Sequence, residues 1–186
     1  MDTAKITTKE SLIQKAALTF NQQGYHHTSI ADLAKACEVK ASLFYYYFEN
    51  KEALMQAVLE YVFEMSVKRL RLLAQNPELT PQEKLAKVTK FMEKLYLNTE
   101  GGCIMANTTL ETALAAPVYL DTLKAFFEEW IAAYQLIYQS QYQPDKAREL
   151  AEATVQDIEG GIMLTKLYQD KKYLLNALKR SERLLG

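Results

Sequence analysis

Residues 28–52, TSIADLAKACEVKASLFYYYFENKE, predict two short helices joined by a tight turn, followed by the start of a longer helix. Apolar residues recur at helical spacing in the first of them, and Asp32 follows Ser29 at the spacing of a capping box. Asn50 is a typical N-cap for the longer helix. This layout indicates a helix-turn-helix unit, whose second helix enters the major groove of DNA.

The second helix of this unit is expected to present a polar and aromatic face to DNA. Val39, Leu43 and Phe44 continue the inner, apolar face and leave the other side free. We expect base-edge contacts from Lys40, Ala41, Ser42 and Tyr46, with Ala41 facing thymine methyl groups. We expect phosphate contacts from Thr28, Ser29, Tyr45 and Lys51.

The segment IQKAALTFNQQGYHHTSIADLAKACEVKASLFYYYFENKEALMQAVLEY, residues 13–61, resembles the DNA-binding domain of the tetracycline-repressor-like (TetR/AcrR) transcriptional regulators. The matching positions are Gly24-Tyr25, Thr28-Ser29, Asp32-Leu33-Ala34, Val39, Phe44-Tyr45-Tyr46, Phe48 and Lys51-Glu52. The resemblance implies an all-α fold of about nine helices. Residues 1–50 would form a three-helix, helix-turn-helix DNA-binding domain, and residues 51–186 a helical domain for ligand binding and dimerisation. It also implies a homodimeric repressor that a small apolar or aromatic effector releases from a palindromic DNA operator.

Two positions depart from the family pattern. Glu38 occupies the turn position at which the family usually has glycine, where a left-handed backbone would cost roughly 1 kcal/mol. Ala41 and Ser42 stand where the family often has a basic residue and a glycine, so Lys40 is the one cation that the second helix offers.

Composition agrees with a small regulator of modest DNA affinity. The chain has 186 residues, 49% of them hydrophobic, which is enough for a DNA-binding unit and a larger helical region. The net charge is −1, and residues 1–52 hold six lysines and six acidic residues. Because phosphate binding normally relies on positive charge, affinity is expected to come from geometry and dimerisation.

Other features indicate a cytoplasmic protein without cofactors. No apolar run is long enough to span a membrane, and the N-terminus lacks a signal-peptide pattern. Two cysteines are too few for a disulfide framework and fit a reducing compartment. Hydrophobic periodicity predicts helices over about residues 8–23, 51–74, 81–100, 103–115, 118–142, 145–168 and 171–185.

The second region is expected to hold the effector site, because aromatic and methionine side chains are dense there. Several could line an apolar pocket that has a few polar groups. The candidates are Phe91, Tyr96, Cys103, Asn107, Glu111, Phe126, Phe127, Trp130, Tyr134 and Met163. The alternative for each of them is ordinary packing in a helical core.

Cys103 permits a separate hypothesis. It follows Gly101-Gly102 and is expected to begin a helix, where backbone N–H groups and the helix dipole would favour a reactive thiolate. GGCIMANTTLE also resembles the Gly-Cys segment of a branch of the family that includes electrophile sensors. A small buried cysteine that only packs is the alternative.

The last two helices are expected to mediate dimerisation. Their apolar positions include Val155, Ile158, Ile162, Leu174 and Leu178, and Gly160-Gly161 would allow close helix–helix approach. In the family, the corresponding helices form a four-helix bundle with a symmetry mate. The alternative is that these residues close the core of the monomer.

Two other classes of protein compete with a ligand-responsive regulator. An enzyme is disfavoured because His26 and His27 are the only histidines, so the second region offers no Ser/His/Asp or Cys/His partnership. Adjacent histidines also cannot both bind one metal, so we predict no metal site. An architectural DNA-binding protein without a ligand is the other possibility, and a drug-sized pocket between helices would argue against it.

Overall fold

The computed structural model describes residues 8–114 and 117–186, and in these residues the chain forms nine α-helices and no strand. The helices are α1 (Lys9–Gln23), α2 (Ile30–Cys37), α3 (Ala41–Tyr47), α4 (Lys51–Ala74), α5 (Pro81–Leu97), α6 (Ile104–Thr112), α7 (Leu120–Tyr138), α8 (Pro144–Tyr168) and α9 (Lys172–Glu182). Short 3₁₀ turns, Pro117–Tyr119 and Arg183–Leu185, precede α7 and follow α9. The predicted all-α fold with about nine helices is confirmed.

Side-chain caps fix four of the nine described helix starts, those of α1, α2, α4 and α5. Ser29 and Asp32 form the expected capping box at α2, and Thr80 and Glu83 form another at α5. The Asn50 side chain accepts a hydrogen bond from the backbone N–H of Ala53 and so caps α4. These bonds satisfy amide groups that have no partner within their own helix.

Helix α7 ends earlier than the sequence predicted. The seventh was expected to continue to residue 142, yet α7 ends at Tyr138. Pro144 begins α8, and the residue before a proline is disfavoured in helical conformation. Tyr142 instead turns its hydroxyl to the carbonyl oxygen of Leu184, 2.8 Å away, and ties this turn to the C-terminus.

The first three helices pack around one apolar centre. Leu12, Phe20, Leu33 and Phe44 are all buried there. The N-terminal half of α4 closes this centre against α1. The N-terminal helices are therefore held rigidly enough to set the position of α3.

The same core continues through α4 to α9, where its aromatic part surrounds Trp130 of α7. Helix α8 lies close to α9 at Gly161, where an added Cβ would sit 3.1 Å from Leu174 Cα. Helix α4 contributes to both parts of the core, because it packs on α1 and on α7. Two polar contacts join it to α7: Gln56 donates a hydrogen bond to Thr122, and Arg71 pairs with Glu129. None of the helices described is long and apolar enough to cross a membrane.

Candidate DNA-reading helix and ligand groove

The turn between α2 and α3 has the left-handed backbone that the sequence indicated. Glu38 adopts φ 59° and ψ 40°, a conformation that costs a residue with a Cβ roughly 1 kcal/mol. The backbone N–H groups of Glu38 and Val39 donate to carbonyl oxygens of Lys35 and Ala34, at 3.1 and 3.0 Å. These bonds end α2 and redirect the chain into α3.

Helix α3 presents a face that no other part of the described chain covers. Phe44 is fully buried and fixes the helix on the core, whereas Tyr45 and Tyr46 are 59% and 78% exposed. Lys40 and Ser42 are also exposed. Large aromatic side chains left in solvent on a rigid short helix are unusual unless they contact a partner.

Ala41 differs from the expectation of an outward-facing residue. It is half-buried and packs against the apolar core at the start of α3. Only part of its methyl group is therefore available to a base.

Thr28 and Ser29 do not present free hydroxyl groups, which corrects the role predicted for them. Thr28 is 1% exposed, and its hydroxyl donates to the carbonyl oxygen of Gly24 at 2.6 Å. Ser29 is exposed, but its hydroxyl donates to the Asp32 carboxylate at 2.5 Å and accepts from the Asp32 backbone N–H. Because a carboxylate lies beside Ser29, a phosphate at this hydroxyl would meet negative charge.

Lys51 also differs from the prediction of a free phosphate-binding cation. Its ammonium group donates to the carbonyl oxygens of Tyr25 and Thr28, at 2.9 and 3.1 Å. It also lies 4.3 Å from the centre of the Tyr25 ring, in a cation–π contact. Lys51 therefore holds the α1–α2 loop against α4. Only one N–H of its ammonium group is left for a phosphate.

A groove of about 460 Å³ opens between α6, α7 and α8. Its lining is mainly apolar and includes Phe127 and Met163, with Cys103 and Asn107 along the α6 side. This volume lies in the range of small-molecule sites. Four of the ten residues predicted to bind ligand are thus brought together here.

The other six predicted ligand residues lie elsewhere. Phe126, Trp130 and Tyr134 are 1%, 0% and 0% exposed and pack the aromatic core, so the alternative of ordinary packing holds for them. Phe91 is half-buried on α5 against the same core. Tyr96 lies behind Cys103, and its hydroxyl donates to the cysteine sulfur at 3.7 Å.

Glu111, the sixth, faces the DNA-binding unit instead of the groove. Its carboxylate accepts a hydrogen bond from the backbone N–H of His26 at 3.2 Å, and its backbone carbonyl oxygen lies 3.1 Å from the His26 ring. Gly24 allows this approach, because an added Cβ would lie 3.1 Å from the Glu111 carboxylate. Glu111 therefore joins the end of α6 to the loop after α1.

The structure contradicts the hypothesis of an activated thiolate at Cys103. The residue does precede α6 as expected, but it is only 3% exposed. Burial raises the pKa of its thiol well above the ordinary value, and the nearby Glu159 carboxylate raises it further. Backbone hydrogen bonding at the helix start opposes these effects and is outweighed. Cys103 is thus a neutral thiol at the base of the groove.

Glu159 is a groove residue that the sequence analysis missed. It lies on α8 beside the buried Ile158 and Ile162, and its carboxyl lines the groove opposite α6. Burial raises the pKa of Glu159 to about 7, and the adjacent Cys103 thiol partly opposes this. The signal available in the sequence was an acidic residue next to the apolar stripe of an amphipathic helix.

A chain of amide hydrogen bonds connects the groove to α1. Asn107 donates to the side-chain oxygen of Asn21 at 3.0 Å and to the Gly101 carbonyl oxygen at 2.8 Å. Asn21 in turn donates to the Gly102 carbonyl oxygen at 3.0 Å. The start of α6 is therefore bonded directly to α1.

The five residues predicted for dimerisation are buried within the single chain, so the monomer-core alternative holds for them. Val155, Ile158, Ile162, Leu174 and Leu178 are all 5% exposed or less. They pack between α8, α9 and the neighbouring helices, since their stripe faces inward. The exposed apolar side chains of α8 are Met163, Leu167 and Tyr168, at 59%, 67% and 60%.

The fold and the site together define a class of protein: a helix-turn-helix DNA-binding unit joined to a helical domain that contains a ligand-sized groove. Among the residues described, no group of three or more His, Cys, Asp or Glu could hold a metal ion.

Comparisons with known proteins agree with this class. Residues 12–58 match the family described as bacterial regulatory proteins, tetR family. Residues 81–180, more than half of the chain, match the family described as transcriptional regulator LmrA/YxaF-like, C-terminal domain. The chain therefore belongs to the TetR family of transcriptional regulators, which are DNA-binding regulators and not enzymes.

Relatives extend over nearly the whole chain. The HTH-type transcriptional repressor DhaR of Mycobacterium sp. (strain GP1) is 24% identical over 178 residues, which cover 92% of this chain and 88% of DhaR. The uncharacterized HTH-type transcriptional regulator YxaF of Bacillus subtilis is 26% identical, covering 93% and 92%. The crystal structure of a TetR transcriptional regulator from Legionella pneumophila superimposes with a TM-score of 0.86 at 24% identity, covering 96% and 98%. This last likeness shows the fold.

Proposed function

We propose that this protein is a homodimeric transcriptional repressor that binds a palindromic operator and is released by a small apolar or aromatic effector. The observation that carries the proposal is the exposed aromatic face of α3, with Tyr45 and Tyr46 in solvent above the buried Phe44. Relatives named as repressors, DhaR among them, support repression as the mode of action.

In the proposed complex, α3 lies in the major groove of each half-site. Lys40, Ser42 and Tyr46 approach base edges, the partly exposed Ala41 methyl faces thymine, and Tyr45 contacts a phosphate. We assign DNA binding to residues 1–50, and ligand binding and dimerisation to residues 51–186. Helix α4 packs against both parts and couples them, in addition to the Asn107–Asn21 bond between α6 and α1.

We place the dimer interface on the outward face of α8 and α9. Leu167 and Tyr168 are exposed there, and an added Cβ at Gly160, which also lines the groove, would meet no atom within 4 Å. A second copy could therefore approach this part of α8 closely. Twofold symmetry would then hold two α3 helices about 34 Å apart, one turn of DNA.

Effector release would start at the groove between α6, α7 and α8. A ligand there displaces the start of α6, and the Asn107–Asn21 bond transmits the displacement to α1. Ligand binding and operator binding are then coupled, because each favours a different arrangement of the same helices.

The reading role of α3 is tested with duplexes selected from a random DNA pool. Tyr46→Ala is expected to change the preferred bases, whereas Tyr45→Ala should weaken binding to all sequences alike. Fluorescence anisotropy on matched and mismatched half-sites separates the two effects. Lys40→Met removes the cation at the start of α3 and should weaken DNA binding. Lys90→Met, which removes a cation at an exposed position of α5, is its control and should leave DNA affinity unchanged. Equal losses on all sequences from Tyr46→Ala would refute base reading by this residue.

The dimer interface is tested by sedimentation. Leu167→Arg places a charged side chain on the proposed interface, at an exposed position that does not line the groove, and should convert a dimer to a monomer with reduced operator affinity. Glu93→Arg, at an exposed position of α5, makes a comparable change away from that face and should remain dimeric. A wild-type monomer bound singly to DNA would contradict the proposal.

A further inference from the structure

The groove between α6, α7 and α8 contains the Glu159 carboxylate, which lacks, within the described chain, the hydrogen-bond and ion-pair partners that a buried charge needs. Glu159 Oε1 is buried and has no hydrogen-bond partner among the residues described. The six salt bridges in the same residues all use other carboxylates, so no protein cation neutralises Glu159. Buried charges normally have a partner, because an unpaired carboxylate loses its hydration without compensation.

The residues around Glu159 indicate which kind of ligand could bind to its carboxylate. Its wall of the groove is shared with Phe127 of α7 and with Met163, one helical turn further along α8. The nearest polar group from α6 is the neutral Cys103 thiol. Lys166 lies at the exposed rim, where its ammonium group donates to the Gly101 carbonyl oxygen at 3.1 Å. The groove therefore offers mainly apolar walls, a buried carboxylate oxygen without a partner in the described chain, and the polar side chains of Asn107 and Thr109 on the α6 side.

We propose that the groove binds a small organic cation, consisting of an apolar or aromatic body and a protonated amine, and that Glu159 holds the ammonium group. The apolar body would lie against Phe127 and Met163, and the N–H groups would donate to the Glu159 carboxylate. This inference rests on the proposed function, since it specifies the chemical class of the effector for the same groove.

Three naphthalene probes that differ in one group test the charge preference. They are naphthalen-1-ylmethylamine, naphthalen-1-ylmethanol and 1-naphthoate, titrated into the full-length protein by calorimetry at about pH 8, where the amine and a carboxyl of pKa near 7 are largely ionised. We expect the amine to bind at least about tenfold more tightly than the alcohol, and the naphthoate to bind most weakly. Glu159→Gln should remove the preference for the amine and retain binding of the alcohol.

A matched control separates Glu159 from other acidic groups. Glu149→Gln removes an exposed carboxylate ten residues earlier on α8, and this variant should keep the full preference for the amine. Far-ultraviolet circular dichroism of both variants shows whether the fold is intact.

Several outcomes would overturn the inference, and they differ from a failure of the proposed function. Equal binding of amine and alcohol to the wild type, or an unchanged preference in Glu159→Gln, would exclude Glu159 as the counter-ion. Absence of binding by all three probes would refute the cation site, and a disulfide between the two chains of a Met163→Cys variant would then assign the groove to a second copy. Glu159-dependent binding of the amine without any change in operator affinity would support the cation site and refute its role in release.

Discussion

The side-chain amide of Asn107 donates a hydrogen bond of 3.0 Å to the side-chain oxygen of Asn21, and so connects the wall of the ligand groove to the first helix of the DNA-binding unit. Both amides also bind backbone carbonyl oxygens of Gly101 and Gly102, just before α6. The helices can approach this closely because Gly101 has no side chain; a Cβ there would overlap the Asn21 amide.

This contact predicts energetic coupling between the two parts of the chain. Asn21→Ala and Asn107→Ala should each lower the free energy of unfolding, and the double variant should cost less than the sum by about 1 kcal/mol. Urea denaturation of the four proteins gives the coupling energy. Asn98→Ala removes an amide that bonds only to its own helix, at the Lys94 carbonyl oxygen, and should add independently to Asn21→Ala. Strict additivity of Asn21→Ala and Asn107→Ala would show that the bond does not connect the two regions.

Lys51 is predicted to act on stability more than on DNA affinity. Lys51→Met removes an ammonium group that holds two carbonyl oxygens of the α1–α2 loop, so it should cost about 1.5–3 kcal/mol of unfolding free energy. The salt dependence of operator binding should stay close to that of the wild type.

The exposed Lys40 provides the comparison. Lys40→Met should leave stability within about 0.5 kcal/mol and reduce the slope of log affinity against log salt by about 1. Urea denaturation and anisotropy at several salt concentrations measure both quantities. If Lys51→Met flattens the salt slope and leaves stability unchanged, its ammonium contacts phosphate instead.

The order and type of the helices could be predicted because their signals are local. The Ser29–Asp32 box, the Asn50 cap and the proline at position 81 each act within one helical turn, and apolar periodicity supplies the rest. Which apolar face meets which neighbour is a tertiary property. Val155 and Leu178 have the pattern of an interface, yet they pack inside the monomer.

The candidate sites were predicted only in part, because some of their features are local and others depend on tertiary packing. The outward face of α3 followed from helix periodicity, whereas the occupation of Lys51 by carbonyl oxygens depends on how the α1–α2 loop lies on α4. The position of Glu159 in the groove depends on the packing of α8 against α6 and α7, which no local pattern encodes.

The left-handed turn predicts a stabilising substitution. Glu38→Gly should raise the unfolding free energy by about 1 kcal/mol, because glycine adopts φ 59° without a Cβ clash. Glu38→Ala, which removes the same charge but keeps the Cβ, should give no comparable gain. Thermal and urea unfolding of the two variants decide the point. A similar gain from both would attribute the effect to the charge and not to backbone strain.

Glu159 predicts a pH-dependent difference in stability between the wild type and Glu159→Gln. Burial raises the pKa of the folded-state carboxyl from its ordinary value of 4.5 to about 7, so the native protein binds more protons than the unfolded chain between these values. Stability contributed by the protonated carboxyl is therefore present at low pH and is lost as the pH rises through this window. The other ionisable groups near the carboxyl are Cys103, Tyr96 and, at the rim, Lys166. Burial raises the pKa of Cys103 and Tyr96, so they stay neutral throughout.

The size of the loss follows from the shift. It amounts to about 3 kcal/mol, since each pKa unit corresponds to about 1.4 kcal/mol. Glutamine does not titrate, so the unfolding free energy of Glu159→Gln relative to the wild type should rise by this amount between about pH 4.5 and pH 7.5. Urea denaturation at half-unit pH steps measures the difference in unfolding free energy between Glu159→Gln and the wild type. Titration of the other ionisable groups affects both proteins equally and so drops out of this difference. Glu149→Gln, which removes an exposed carboxylate, should show a constant difference. A constant difference for Glu159→Gln as well would mean that its carboxyl is hydrated and ionised in the folded protein, and the groove would then lack the unpaired acceptor that a ligand cation requires.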